Sequence, residues 1–151
     1  MKKKKPSKIE MRIAVAKDAI KQIKAKIYIA MEGTYTGNLE SRLKFASIDI
    51  DTQVQPHLLN MNSCRVCARG AAAISCIRKF NNCTVGDFIE KNWESESIKI
   101  FGTKNLCNME RAFEGWAKEG ELFKESYQDE DKRMIAIFKN VIKNNGTFKF
   151  E

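Results

Sequence analysis

Hydrophobic residues recur at alternating spacings of three and four in the N-terminal part of the chain. They are Ile9, Ile13, Ala16, Ile20, Ile23 and Ile27. This spacing places them on one face of an α-helix. Ser7, followed three residues later by Glu10, has the pattern of a capping box, so we predict that the helix begins there. We expect the apolar face to pack in an intramolecular core, or alternatively to form a seam with a second copy of the chain.

A different pattern follows between Gly33 and Asn62. The segment SIDIDTQV alternates Ile48, Ile50, Thr52 and Val54 with polar residues, which is typical of a half-buried strand. The upstream KIYIAM is predicted to be either its antiparallel neighbour or the last turn of the first helix. Pro56 ends the predicted strand, and the only histidine, His57, follows in a short connector.

The segment NSCRVCARGAAAISCIRKFNN, residues 62–82, predicts a central buried helix that starts near Ser63. Its alanines, glycine and cysteines are small enough for neighbouring elements to approach closely, while Ile74, Ile77 and Phe80 would fill the remaining space. Gly70 costs about 1 kcal/mol relative to alanine in a helix. That cost is understandable where another backbone packs against this position.

Two further helices and an extended piece are predicted between residues 84 and 116. Thr84 and Asp87 begin a short helix through GDFIEKNW, and IKIFG is predicted to be extended. Thr103 is the predicted cap of a helix that ends near Gly115. Its buried face combines Leu106, Met109, Phe113 and Trp116.

The C-terminal part predicts a loop and a final helix. AKEGELFKESYQ is interpreted as a loop packed by Phe123 and Tyr127. Acidic residues 129–131 then occupy the first turn of the final helix, lysines its last turn, and Gly146 its end. The predicted buried face comprises Met134, Ile135, Phe138, Val141 and Ile142. TFKF would be a short terminal strand or an extended tail.

These elements predict a mainly α single compact domain of about four or five helices with a minor β element, an α+β fold. The chain has 151 residues and is 43% hydrophobic, which suits one globular unit with its own core. We assign residues 7–151 to this domain and residues 1–6 to a basic N-terminal arm.

The net charge of +8 raises nucleic acid as a partner. Four of these charges lie together at Lys2, Lys3, Lys4 and Lys5. Such a run is more typical of a solvated arm than of an element that recognises a nucleic-acid sequence. No helix-turn-helix signature is present, and the final helix begins with acidic residues. Nucleic acid is therefore possible but not favoured.

The same N-terminus resembles the start of a secretory signal, but Glu10, Arg12, Lys17 and Asp18 interrupt the apolar stretch such a signal requires. No segment is apolar enough for a membrane span. The five cysteines, an odd number, suit a reducing compartment. We expect a cytoplasmic protein with free thiols and no membrane partner.

Cys64 and Cys67 have C-x-x-C spacing, which supplies half of a zinc ligand set. Cys76 and Cys83 do not form a second close pair, and Cys76 lies within the predicted helix. A redox site would need a strand before the motif, and HLLNMN is a poor strand. We therefore predict no metal and no cofactor.

No catalytic constellation accompanies these residues. Cysteine-protease chemistry would depend on His57 alone, and Asp49 and Asp51 are expected on the exposed face of a strand. We expect a protein that is not an enzyme.

Arg65 and Arg69 are the candidate ligand-binding residues. On the predicted helix they lie one turn apart near its N-terminal end, where free amides favour an anion. A phosphate-bearing small molecule could be held there, with Phe113 or Trp116 bordering the pocket. The alternative is that the arginines are solvated or pair with acidic side chains of a neighbouring helix.

Three segments, VAKDAIKQIKAKIYIAMEGTY, CRVCARGAAAISCIRKFN and DEDKRMIAIFKNVIKNNGTF, resemble a family of small uncharacterised proteins encoded by phages, prophages and other mobile elements. The insert TGNLESRLKFASIDIDTQVQPHLL departs from that resemblance. The resemblance implies no catalytic residues, but it implies a context in which such proteins act on host machinery.

Two functions are therefore expected. The first is a non-enzymatic, homo-oligomeric phage-type protein that antagonises host defence, either by sequestering an anionic nucleotide-like ligand or by occluding a host protein. The alternative is a nucleic-acid-binding regulator that uses the basic N-terminal arm.

Overall fold

The structure is a computed structural model that describes residues 4–80, 83–90 and 94–150. Within these ranges it contains nine helices and a two-stranded parallel sheet. The helices are α1 (Lys8–Lys24), α2 (Leu39–Phe45), α3 (Gln55–Leu59), α4 (Ala68–Lys79), α5 (Val85–Ile89), α6 (Glu94–Phe101), α7 (Thr103–Glu114), α8 (Ala117–Ser126) and α9 (Glu130–Lys143). The strands are β1 (Tyr28–Ala30) and β2 (Cys64–Val66). The mainly helical class is confirmed, but four or five helices is too few.

Helix α1 begins where the capping box predicts. The Ser7 hydroxyl oxygen accepts a hydrogen bond from the Glu10 amide at 3.1 Å. The buried positions are Val15, Ala16, Ala19, Gln22 and Ile23, whereas Ile9 is 49% exposed. Because α1 packs against both α4 and α9, its buried positions spread beyond a single stripe.

The strand predicted for SIDIDTQV is wrong. Residues 47–54 form turns, with a single antiparallel bridge between Gln53 and Thr84. The Asp49 carboxylate accepts from the Asp51 amide, and the Thr52 hydroxyl donates to the Asp49 carbonyl. Such local side-chain bonds compete with a sheet ladder, which explains why alternation alone misled the prediction.

The strand in KIYIAM is confirmed, but its predicted antiparallel partner is wrong. Strand β1 pairs in parallel with β2, with Tyr28 opposite Cys64 and Ala30 opposite Val66. In both strands the outer residues are buried and the middle residue is exposed.

Helix α4 is the buried central helix that the sequence predicts, but it begins at Ala68 rather than near Ser63. Cys67 is its N-cap, and the Cys67 sulfur accepts from the Gly70 amide at 3.4 Å. Residues 70–77 are all buried. Phe80, in contrast, is 38% exposed and does not fill the core.

Two segments predicted to be non-helical are helices. IKIF, residues 98–101, lies in α6, and AKEGELFKES, residues 117–126, forms α8. Helix α8 buries only Gly120 completely, so its hydrophobic pattern is weak. Gly120 lets α8 approach α7 closely, because a Cβ there would lie 2.3 Å from the Arg111 carbonyl oxygen.

Helices α7 and α9 agree with the sequence in most respects. Gly115 ends α7 in the left-handed conformation, although Gly102 rather than Thr103 is the N-cap. Asp129 caps α9 by accepting from the Lys132 amide at 2.8 Å. The buried face of α9 includes Ile137, while Ile135 and Ile142 are half-buried.

Helices α1 and α9 run antiparallel. At one end the Lys26 ammonium lies 3.1 Å from the Asp131 carboxylate, and at the other Arg12 lies beside Gly146. Residues 147–150, the described part of the tail after α9, form no strand, and Phe148 is buried. Across the described ranges, no helix is both long and apolar enough to cross a membrane.

Candidate anion-binding groove

The predicted pocket residues do not share one helix. Arg65 lies exposed on β2, so the prediction that it stands one helical turn from Arg69 is wrong. Phe113 is fully buried, with its ring centre 5.4 Å from the Arg133 guanidinium carbon. Trp116 follows α7 and is 54% exposed. Phe113 therefore presents no ring surface to a ligand in this structure.

Arg69 is engaged by acidic side chains, as the alternative interpretation expects. Its guanidinium lies 3.1 Å from the Glu110 carboxylate and 3.3 Å from that of Glu94. Burial alone would lower the pKa of Arg69, but the Glu110 hydrogen bond and both carboxylate charges raise it. The positive charge of Arg69 is therefore compensated within the fold.

The N-terminus of α4 is covered by the chain itself. The Thr34 carbonyl accepts from the Cys67 amide, and the Tyr35 carbonyl lies against Gly70. A neighbouring cleft of about 470 Å³ is lined by residues 33–37 together with Glu40 and Glu94. Among the described residues, its lining includes two carboxylates and no lysine or arginine, which gives it the wrong charge for an anion.

A second, larger groove of about 600 Å³ has the opposite charge. It lies where the end of α1 meets α8 and α9. Its walls are formed by Lys24, Phe123, Tyr127, Lys132, Ile135, Ala136, Lys139, Asn140 and Lys143. We call this the basic groove. It combines four lysines with an apolar floor, and none of the described residues in its walls carries a carboxylate.

The helical repeat explains why these lysines share one side of α9. Lys132 and Lys139 are seven residues apart, and Lys143 lies one further turn along, so all three occupy one face. Ile135 and Ala136 lie between them on that face. Lys24 reaches the same groove from the last turn of the antiparallel α1.

An aromatic pair forms part of the floor. The ring centres of Phe123 and Tyr127 are 5.0 Å apart at an interplanar angle of 38°. Phe148 packs edge-on against Phe123 at 5.6 Å. The Asn140 side chain holds the tail in place, because it donates to the Lys149 carbonyl and accepts from the Lys149 amide. Contacts with the tail therefore hold the floor in place, while Tyr127 stays 41% exposed.

The acidic side chains of Glu130 and Asp131, at the start of α9, bind partners outside the basic groove. Asp131 binds Lys26 and accepts from the Ala30 amide at 3.0 Å. Glu130 accepts from the Glu32 amide at 2.8 Å. Within the described ranges, none of the four groove lysines forms an ion pair. Their charge is therefore available to a ligand.

Helix stability does not account for all four lysines. Lys24 and Lys143 lie in last turns, where the helix dipole favours a cation. Lys132, however, lies in the first turn of α9, where the dipole disfavours a cation.

The sequence did not predict the groove, because Phe123 and Tyr127 were interpreted as loop residues. The spacing of Lys132, Lys139 and Lys143 was the available signal.

Cys64 and Cys67 lie in a different, buried environment. Burial raises the pKa of the Cys64 thiol to about 11 and that of the Cys67 thiol to about 12, although amide hydrogen bonds oppose part of the latter shift. Both remain protonated at neutral pH. Among the described residues, no group of three or more histidine, cysteine, aspartate or glutamate side chains is arranged to hold a metal ion.

Neither a protein-family model, nor a curated protein, nor a solved structure matches this chain.

Proposed function

We propose that this chain is a non-enzymatic binding protein that captures an anionic, nucleotide-like ligand in the basic groove. The observation that carries the proposal is the groove's composition. Four lysines surround an apolar, partly aromatic floor, and the described lining residues include no carboxylate. Concave sites with an apolar lining and a few convergent polar groups are the usual form of small-ligand sites.

The two parts of the groove suit the two parts of a nucleotide. Lysine ammonium groups bind phosphate through charge-assisted hydrogen bonds. An exposed aromatic face such as that of Tyr127 offers a stacking surface for a base. The groove thus replaces the pocket predicted around Arg65 and Arg69 as our preferred site.

The biological setting of the proposal rests on the resemblance to phage and prophage proteins. In that setting, capture of a nucleotide signal in the cytoplasm would antagonise a host defence system. The proposal requires no catalytic step, because tight binding alone lowers the free concentration of the signal.

The proposal is tested with ATP as the probe, in isothermal titration calorimetry at about 0.15 M salt, where the Debye length is about 8 Å. The groove variant carries Lys24→Gln, Lys132→Gln, Lys139→Gln and Lys143→Gln. A matched control variant carries Lys44→Gln, Lys79→Gln, Lys104→Gln and Lys118→Gln, four exposed lysines outside the groove. Both variants lose the same charge, so they separate a local site from a general effect of net charge.

We expect the groove variant to bind ATP at least about tenfold more weakly than the wild type, because charge-assisted hydrogen bonds are lost. The control variant should bind within about twofold of the wild type once distant charges are screened. Equal weakening in both variants, or full affinity in the groove variant, would contradict the proposal.

A further inference from the structure

The lysines of the basic groove are spread along its length. Lys132 and Lys143 are eleven residues apart on α9, which corresponds to about 16 Å at 1.5 Å per residue. The phosphates of a mononucleotide are clustered at one end of the molecule. A ligand whose phosphates recur along a chain matches the lysine spacing better.

A second cleft continues from the aromatic pair. It has a volume of about 330 Å³ and is lined by Glu119, Leu122, Phe123, Ser126, Tyr127 and Phe150. Phe123 and Tyr127 thus lie between the two clefts and contribute to both. Leu122 is 55% exposed and adds apolar surface beyond Tyr127. The site therefore has room for more than one base.

Residues 4–6, the described part of the basic arm, lead into α1 at the Lys143 end of the groove. Because α1 and α9 are antiparallel, the start of α1 lies beside the end of α9, where Arg12 packs against Gly146. Lys4 and Lys5 are exposed and precede α1, so they extend the positive charge beyond Lys143. Lys2 and Lys3 lie outside the described residues.

We infer that the ligand of the basic groove is a short single-stranded oligonucleotide, held by its phosphates on the lysines and by base stacking on Tyr127. This inference rests on the proposed function and specifies its ligand class. Positive grooves with aromatic stacking surfaces are the usual design of proteins that bind single strands without sequence preference. At 3.4 Å per stacked nucleotide, about five nucleotides span the lysines.

An acidic peptide fits these observations less well. Its carboxylates carry single charges and its side chains are mostly not planar, so an exposed aromatic ring adds little to its recognition. A nucleic acid strand pairs every charge with a base that can stack. The aromatic pair beside the lysines therefore favours the oligonucleotide.

The test uses fluorescence anisotropy of a fluorescein-labelled single-stranded deoxyadenosine hexamer, with unlabelled ATP, inorganic tripolyphosphate and hexaglutamate as competitors. We expect the hexamer to bind more tightly than all three. Four phosphate contacts predict that the logarithm of the association constant falls with the logarithm of salt concentration with a slope of about −3.

Two substitutions separate stacking from charge. Tyr127→Leu keeps an apolar side chain but removes the ring, and it should weaken hexamer binding about tenfold while leaving the affinity for tripolyphosphate unchanged. Tyr127→Phe retains the ring and should bind like the wild type. Circular dichroism and the thermal midpoint establish that both variants are folded.

The possible failures are distinguishable. If ATP still depends on the groove lysines but the hexamer binds no tighter than ATP, or Tyr127→Leu has no effect, the oligonucleotide inference is wrong and the proposed function stands. If hexaglutamate competes as well as the hexamer, the groove binds acidic peptides instead. If ATP, tripolyphosphate and the hexamer all fail to bind, both proposals are wrong.

Discussion

The carbonyl oxygen of Tyr35 lies 1.6 Å from the position that a Cβ atom at residue 70 would occupy. Gly70 is in the first turn of the buried helix α4, and the loop that contains Tyr35 passes directly over it. The obstacle is backbone, which cannot rotate away as a side chain can. The loop and the helix therefore depend on each other for their packing.

Gly70→Ala should destabilise the fold by about 3 kcal/mol or more, because the added methyl must displace backbone. Helix propensity alone predicts the opposite sign, a gain of about 1 kcal/mol. Urea unfolding followed by circular dichroism measures the difference. Lys118→Ala, at an exposed position of α8, is the control and should change stability by less than about 0.5 kcal/mol. A stabilised Gly70→Ala variant would show that the loop does not lie against α4.

Glu32 connects the loop after β1 to α8 and α9. Its carboxylate accepts from the Arg133 guanidinium at 2.7 Å and from the Lys124 ammonium at 3.0 Å. Burial alone would raise the pKa of Glu32, but these two hydrogen bonds outweigh it and hold the pKa below its usual 4.5. The ionised form is therefore favoured in the folded state. Its contribution to stability is present above pH 4.5 and is lost as the pH falls through the lower folded value.

Glu32→Gln should accordingly lower the free energy of unfolding at pH 7 by about 1–3 kcal/mol, since Arg133 is fully buried and loses a charged partner. The difference in the free energy of unfolding between the wild type and the variant should become smaller as the pH falls below 4.5. Urea unfolding at several pH values between 7 and 3 measures it, with the exposed Glu125→Gln as control. A gap that stays constant with pH would contradict the assigned ion pair.

The five thiols should differ in reactivity. Cys64, Cys67 and Cys76 are buried, and burial raises the pKa of each thiol. Since the thiolate is the reactive form, these three should resist alkylation at pH 8 until the protein is unfolded. Cys83 and Cys107 are only half-buried and should be modified first. Iodoacetamide labelling followed by peptide mass spectrometry checks this order, and fast labelling of Cys67 would contradict its capping position.

The groove lysines should be dispensable for folding. None of the four is in an ion pair within the described ranges, and Lys132 faces the positive end of the α9 dipole. The fourfold groove variant should stay within about 1 kcal/mol of the wild type at low salt, because the favourable dipole interactions lost at Lys24 and Lys143 offset the relief at Lys132, and the difference should shrink as salt increases. Urea unfolding at 20 mM and 500 mM salt tests this. A loss of more than 1 kcal/mol would mean that the lysines support the fold.

Local signals in the sequence predicted those elements whose ends are set by neighbouring residues. Ser7, Asp129 and Gly115 each mark a helix end that the structure contains. Two mispredicted features, the partner of β1 and the helical state of α8, had no such local signal. Strand β1 pairs with residues about 36 positions away, and α8 is helical although only Gly120 is fully buried. Neither relationship leaves a strong periodic signal in its own segment.

The site was harder to predict than the fold, because its residues are brought together by tertiary packing rather than by their spacing in one segment. Arg65 and Arg69 are close in sequence but lie on different elements, and Arg69 is neutralised by Glu94 and Glu110 from other helices. The basic groove instead joins Lys24 to residues 99 to 119 positions away. Only the antiparallel packing of α1 and α9 brings them together.

The most direct test of the basic groove is a ¹H–¹⁵N correlation spectrum of the labelled protein titrated with ATP. We expect the largest amide shifts at Lys24, Tyr127 and along residues 132–143, with little change near Gly37 and Arg65. Shifts centred instead on residues 33–37, Arg65 and Arg69 would restore the site predicted from the sequence and contradict the groove. An unchanged spectrum at millimolar ATP would contradict nucleotide binding at either place.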